Sequence, residues 1–168
     1  LTPEQIHTLG QQEVSRILAE MEAVRTTVKF DGDLKAFFKH LQDEPRYYYQ
    51  KPEELLAGYR ALQTRINGLL PKLFDIAPKA DYEVREVEAF RAESAAGASY
   101  QSPSADGARP GVFYVNTFNL KAQPIFGMET LSLHEASPGH HFQVAIAQED
   151  TSLPKFRRFN TFYVAYVE

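Results

Sequence analysis

The chain has no cysteine. Disulfides, thiolate metal sites and a cysteine nucleophile are therefore excluded, and any metal must be held by His and carboxylates. Absence of Cys leaves the cellular compartment open. No apolar run approaches the roughly 18 residues that a membrane span needs, and the first residues lack the charged, apolar and small-residue regions of a signal peptide. A basic stripe is missing too: 18 Lys plus Arg stand against 22 Asp plus Glu, a net charge of −4 spread along the chain, which excludes the electrostatic footprint of a nucleic-acid binder. What is present is ample apolar material. Hydrophobic residues make up 43% and aromatic residues 12% of 168 residues, enough for the core of one domain and too much for an intrinsically disordered chain. The sequence stops inside the apolar run Phe162-Tyr163-Val164-Ala165-Tyr166-Val167-Glu168, where a natural terminus is more often polar and frayed, so it reads as a fragment of a longer protein.

Thr2-Pro3-Glu4-Gln5 has the form of a helix start, with Thr2 as N-cap, Pro3 in the first turn and Gln5 closing a capping box. Ile6, Leu9, Ile17, Met21 and Val24 follow near one stripe, so an amphipathic helix is expected over about 3–25. A short helix over about 33–42 is closed by Pro45. Pro52 opens a third over about 52–74, whose Leu55, Leu56, Tyr59, Leu62, Ile66, Leu69, Leu70 and Leu73 recur at spacings of three and four. Beyond Pro78 the texture changes. Alternation predicts a strand over about 82–87, a small-residue loop follows over 95–110, and β-branched and aromatic residues predict a second strand over about 112–117. A helix over about 127–148, bent at 138–139, and a final helix over about 153–168 complete a chain read as a single partial domain. The class is mainly α with a small β element (α+β).

Three of the five His fall within His134-Glu135-Ala136-Ser137-Pro138-Gly139-His140-His141. Clustered His beside a Glu on a helix is the form of a metal site made without Cys. In H-E-x-x-H the two His share a helix face and the Glu acts on the water. Pro138 breaks that pattern here. On a straight helix His134 and His140 would point about 240° apart, while His134 and His141 would share a face roughly 10 Å apart along the axis. Neither pair reaches one ion, so the helix must bend. Pro138 removes a hydrogen bond to the His134 carbonyl and Gly139 permits unusual dihedrals. A bulge of two residues there would bring His140 to the position of the second ligand, leaving His141 to support the ligands from behind or to donate to the transition state, or the roles of the two His are exchanged. The alternative for these residues is a solvated helix surface.

The motif His134-Glu135-Ala136-Ser137-Pro138-Gly139-His140-His141-Phe142-Gln143 resembles the signature H-E-A-x-P-G-H-H-x-Q of the bacterial domain-of-unknown-function family 885. Asp106-Gly107-Ala108-Arg109-Pro110-Gly111 upstream, and Tyr166-Val167-Glu168 before the family's E-G-W-A segment, extend the resemblance over essentially the whole chain. It implies a zincin-like, largely helical metallopeptidase several hundred residues long, with many members secreted or lipid-anchored at the bacterial cell envelope. It also implies that Glu168 is the third metal ligand.

Taken together, the expected activity is a zinc-dependent hydrolase of peptide or related amide bonds. His134, His140 and Glu168 would hold one zinc, Glu135 would be the general base, and His141 would assist catalysis. Tyr114 and Asn116, on the strand before the motif, would face a peptide substrate. The isolated segment, cut at Glu168, is expected to be inactive. The competing expectation, from a different class, is a non-catalytic helical binding or scaffold module that retains the motif.

Overall fold

The computed structural model describes residues 1–160 of the chain. Two compact units divide it, Leu1–Pro45 and Arg46–Glu168. The architecture is mainly helical with one small sheet, as the pattern of the sequence predicts. Among the described residues no helix is long and apolar enough to cross a membrane.

In the first unit, α1 (Pro3–Thr27) starts at the predicted capping box. The Thr2 N–H donates to Gln5 Oε1 at 2.8 Å and the Gln5 N–H to Thr2 Oγ1 at 3.3 Å, so two of the helix's unpaired N-terminal donors are satisfied. The stripe formed by Ile6, Ile17, Met21 and Val24 is solvent-exposed. Helix α2 (Leu34–Asp43) is capped by Asp33, whose carboxylate accepts the Ala36 N–H at 2.8 Å.

The second unit is organised by α3 (Pro52–Leu69). The expected continuation to residue 74 is cut short, because Pro71 has no N–H to continue the ladder and the chain tightens into a 3-10 turn over Leu70–Lys72. Strand β1 (Tyr82–Glu86) leads through a short helix α4 (Ala89–Ala92) to β2 (Ala98–Gln101), then β3 (Gly111–Val115). The order in the sheet is β1-β3-β2, with β3 parallel to β1 and antiparallel to β2. Strand β2 corrects the expectation of an unbroken loop over 95–110. Four residues, Ala-Ser-Tyr-Gln, are too few to show a period, and pairing with β3 makes them a strand.

Leu55, Leu56 and Tyr59 of α3 pack on Val84, Phe113 and Val115 of the sheet, with the Tyr59 and Phe113 rings edge to face at 5.2 Å. On the outer side of β1, α3 also closes the sheet: Gln63 Nε2 donates to the Tyr82 carbonyl at 2.8 Å and Arg60 to that of Val84 at 3.3 Å. Those two side chains occupy a row of acceptors that an exposed edge would otherwise offer to another strand.

The last described elements are α5 (Met128–Glu135), α6 (Gly139–Glu149) and α7 (Lys155–Arg158). The predicted helix over 127–148 is thus two helices. Met128 and Ala136 join the cluster around Leu55 and Tyr59, and Phe142 packs with Ile66 further along α3 and with Leu70 of the 3-10 turn. One helix therefore backs both halves of the motif. Of the final helix expected over 153–168, α7 is seen; residues 161–168 lie outside the described part.

Two substitutions probe this account by urea unfolding. Leu55→Ala, at a fully buried site, is expected to cost about 2–5 kcal/mol through lost burial and the cavity left behind. Gly10→Ala, mid-helix in α1 with open space where the Cβ would go, is expected to stabilise by about 0.5–1 kcal/mol.

Candidate metal centre

Helix α5 makes its last regular bond from the Ala136 N–H to the Ser132 carbonyl, 3.0 Å. Ala136 then leaves helical space at φ −105, ψ −112, Ser137 and Pro138 are joined by a cis peptide bond, and α6 begins at Gly139. The chain re-enters helix through the His141 N–H on the Ala136 carbonyl, 3.0 Å, and the Phe142 N–H on the Pro138 carbonyl, 3.1 Å. Pro138 is where a straight helix would have supplied the donor for the His134 carbonyl. That carbonyl instead points at Gly139. A Cβ on residue 139 would stand 2.5 Å from the Leu133 carbonyl oxygen and closer still to that of His134, so only glycine fits. The reason differs from the expected one: Gly139 is helical, and space rather than an unusual dihedral excludes a side chain.

Across this junction the imidazoles of His134 and His140 come together, ring centres 4.8 Å apart with planes at 76°. His134 is exposed, and Glu135 and His140 are half-buried. His140 Nδ1 lies 3.3 Å from Gln143 Oε1. Two imidazoles, one from each helix, thus lie side by side. Among the described residues no group of three or more His, Asp or Glu is gathered as a metal site, and Glu168, the expected third ligand, lies outside them.

His141 points the other way. It is 3% exposed, with Nδ1 2.7 Å from the Tyr100 hydroxyl and Nε2 3.0 Å from the Ala80 carbonyl oxygen. A carbonyl only accepts, so Nε2 carries the proton and Nδ1 accepts from Tyr100. Burial pushes the imidazole below its ordinary pKa, partly opposed by the Ala80 carbonyl, which favours this neutral form. Burial also raises the Tyr100 hydroxyl, and that of Tyr82 to about 12. The Tyr82 ring lies 4.8 Å from that of His141. Both nitrogens of His141, the residue expected to assist catalysis, are thus engaged by groups of the fold itself.

Tyr114 and Asn116, expected to face a peptide substrate, lie on β3 and directly after it. Strand β3 is paired on both sides, so no extended peptide can add to its edge. Asn116 is buried and its amide is spent inside the fold: Nδ2 donates to the Ala92 and Ala95 carbonyls at 2.7 and 3.1 Å, and Oδ1 accepts the Phe118 N–H at 3.0 Å. Tyr114 is half-buried beneath the Arg91 guanidinium, 4.8 Å from ring centre to charge. Behind the bend lies a cavity of about 510 Å³ lined by Leu70, Phe74, Tyr82, Ser137, His141 and Phe142, among others.

Sequence reasoning passed over Tyr100 and Gly111. A Cβ at Gly111 would fall on the Tyr100 hydroxyl and 3.0 Å from ring carbons Cε2 and Cζ, so this glycine makes room for the group that holds His141. Its place in the Asp106–Gly111 motif was the available signal.

A mainly helical chain with a small mixed sheet and a His pair set across a helix junction defines the class. The sequence model of a family described as "Bacterial protein of unknown function (DUF885)" matches residues 1–168, and the chain belongs to that family. A solved structure described as "the putative lipoprotein from Colwellia psychrerythraea" is similar to it at 35% identity and a TM-score of 0.91. The match covers 100% of this chain and 29% of that one, so the chain spans under a third of that protein's length. No curated protein matches.

The junction yields a sharp expectation. Gly139→Ala should destabilise the chain by about 3 kcal/mol or more, at the upper end of overpacking costs, because the obstruction is backbone on both sides. Thermal unfolding of the variant checks it, and a loss below about 1 kcal/mol would refute the packing argument.

Proposed function

We propose that this chain carries the metal-binding part of a bacterial zinc-dependent hydrolase that cleaves peptide or related amide bonds. The observation that supports the reading most is the 4.8 Å approach of the His134 and His140 rings, made by a junction that tolerates only glycine at 139, with Glu135 next to His134 in the sequence. Imidazole nitrogens and a carboxylate are the donor set that suits zinc where Cys is lacking. His134 and His140 would hold the ion, with Glu168 as third ligand. Zinc, when bound, supplies Lewis acidity toward water and the scissile carbonyl. Glu135 accepts a proton from the attacking water and returns it to the leaving amine. Three protein ligands leave a position open, as catalysis requires, whereas a scaffold module would close the site with four. The similar protein is described as a "putative lipoprotein", which supports a place for the parent at the cell envelope.

The test uses the full-length protein. Elemental analysis is expected to give about one zinc per chain, and His134→Ala to abolish it, since two remaining ligands hold the ion too weakly. Glu135→Gln is expected to keep the metal and lower hydrolysis of a peptide library by about 10²- to 10⁴-fold. Zinc retained at full stoichiometry by His134→Ala overturns the ligand set. Parental turnover by Glu135→Gln removes the base, and a zinc-loaded parent that cleaves no peptide or amide favours the scaffold module.

A further inference from the structure

We infer that His141 is a positioning residue, which fixes the roll of α6 about its own axis through Tyr100 and the Ala80 carbonyl and thereby turns His140 toward His134. The inference rests on the metal-centre reading above. Successive residues of a helix point about 100° apart, so a roll of that size would carry His141 into the direction of His140 and turn His140 away from His134. Something must set the roll. The apolar contacts of α6, such as the edge-to-face pair of Phe142 and Phe74 at 5.5 Å, are weakly directional.

Hydrogen bonds are directional, and His141 makes them at both ends of its ring. Tyr100, on β2, holds Nδ1 at 2.7 Å; Ala80, in the segment entering β1, holds Nε2 at 3.0 Å. Two anchors on different elements fix both the position and the plane of the ring. Each anchor is itself held. The Tyr100 hydroxyl has its seat because Gly111 has no side chain. Ala80 is gripped from its other side by the far end of the same helix, where Glu149 Oε1 accepts the N–H groups of Lys79 and Ala80 at 2.8 and 3.0 Å. Helix α6 therefore clasps one segment near its first turn and again at its last residue, so a roll would break bonds at both places. Nothing in this arrangement puts His141 in contact with a reacting atom.

The experiment compares Tyr100→Phe with Asn116→Ala in the full-length protein. The first removes a single hydrogen bond to His141. The second breaks buried bonds that do not involve α6 and serves as a control for lost stability. Zinc affinity is measured by chelator competition, and site geometry by the visible spectrum of the cobalt-substituted protein. Tyr100→Phe is expected to weaken zinc binding by about 10- to 100-fold, the usual effect of disturbing a group that orients a ligand, and to shift the cobalt bands. Asn116→Ala is expected to change neither. Parental affinity and bands in Tyr100→Phe, with zinc bound by the parent, overturn the positioning role alone, as does an equal loss of affinity in both variants. A parent that binds no zinc overturns the metal reading and this inference with it. Should Tyr100→Phe fail to fold, nitrogen NMR of the metal-free parent decides: the Nε2–H tautomer in a slowly exchanging ring is expected, and an Nδ1–H tautomer or a freely exchanging ring refutes the anchoring.

Discussion

The candidate site depends on the space between Gly139 and the His134 carbonyl. Pro138 withholds the amide that would have continued the helix. The carbonyl left behind occupies the volume where any other residue at 139 would carry its Cβ. Two helices meet at that point with no linker to spare, so their angle is set by backbone packing. From it follow the approach of His134 and His140 and the placement of Ala136 in the core with Leu55 and Tyr59. A longer connection could have brought the same residues near one another but would have left their orientation to side-chain packing alone.

Apolar packing and hydrogen bonds divide the work in the second unit. The core of α3 and the sheet supplies the bulk of the burial. Side-chain hydrogen bonds appear where backbone groups would be orphaned or where direction matters: Arg60 and Gln63 along β1, Asn116 under α4, and Gln123, which donates to the Gly97 carbonyl at 2.7 Å beside β2. Leaving such groups unpaired inside would cost about 1–3 kcal/mol each. The Tyr100, His141 and Ala80 chain belongs to the same economy, with the difference that it reaches a helix carrying candidate ligands.

Long elements were legible in the sequence because their periods are long. The capping box of α1, the stripe of α3 and the need for a break at Pro138 follow from local rules that tertiary contacts do not overturn. Strand β2 escaped because four residues show no period, and the end of α3 because the run of leucines continues past Pro71 while the backbone ladder does not. At the site, His134 and His140 could be paired only by supposing the bend. Asn116 and His141 carried no local mark of burial, since a polar residue inside the fold looks the same in sequence as one that meets a ligand. What separates them is the carbonyls of Ala80, Ala92 and Ala95, which come from distant positions in the chain.

The adjacent pair His140-His141 shows why that ambiguity resolves in space. On a helix the two side chains diverge by about 100°, so a face that buries one can leave the other outside. Phe142 and Ala145 bury the inner face of α6, and His141 lies on the same side while His140 stays half-exposed beside His134. A histidine turned inward must find partners for both nitrogens or leave a polar group unsatisfied. Tyr100 and Ala80 provide them, and in doing so they hold the inner imidazole still. The two neighbours thus have opposite requirements: the outer ring is useful only while a nitrogen can be offered to something new, the inner one only while neither can.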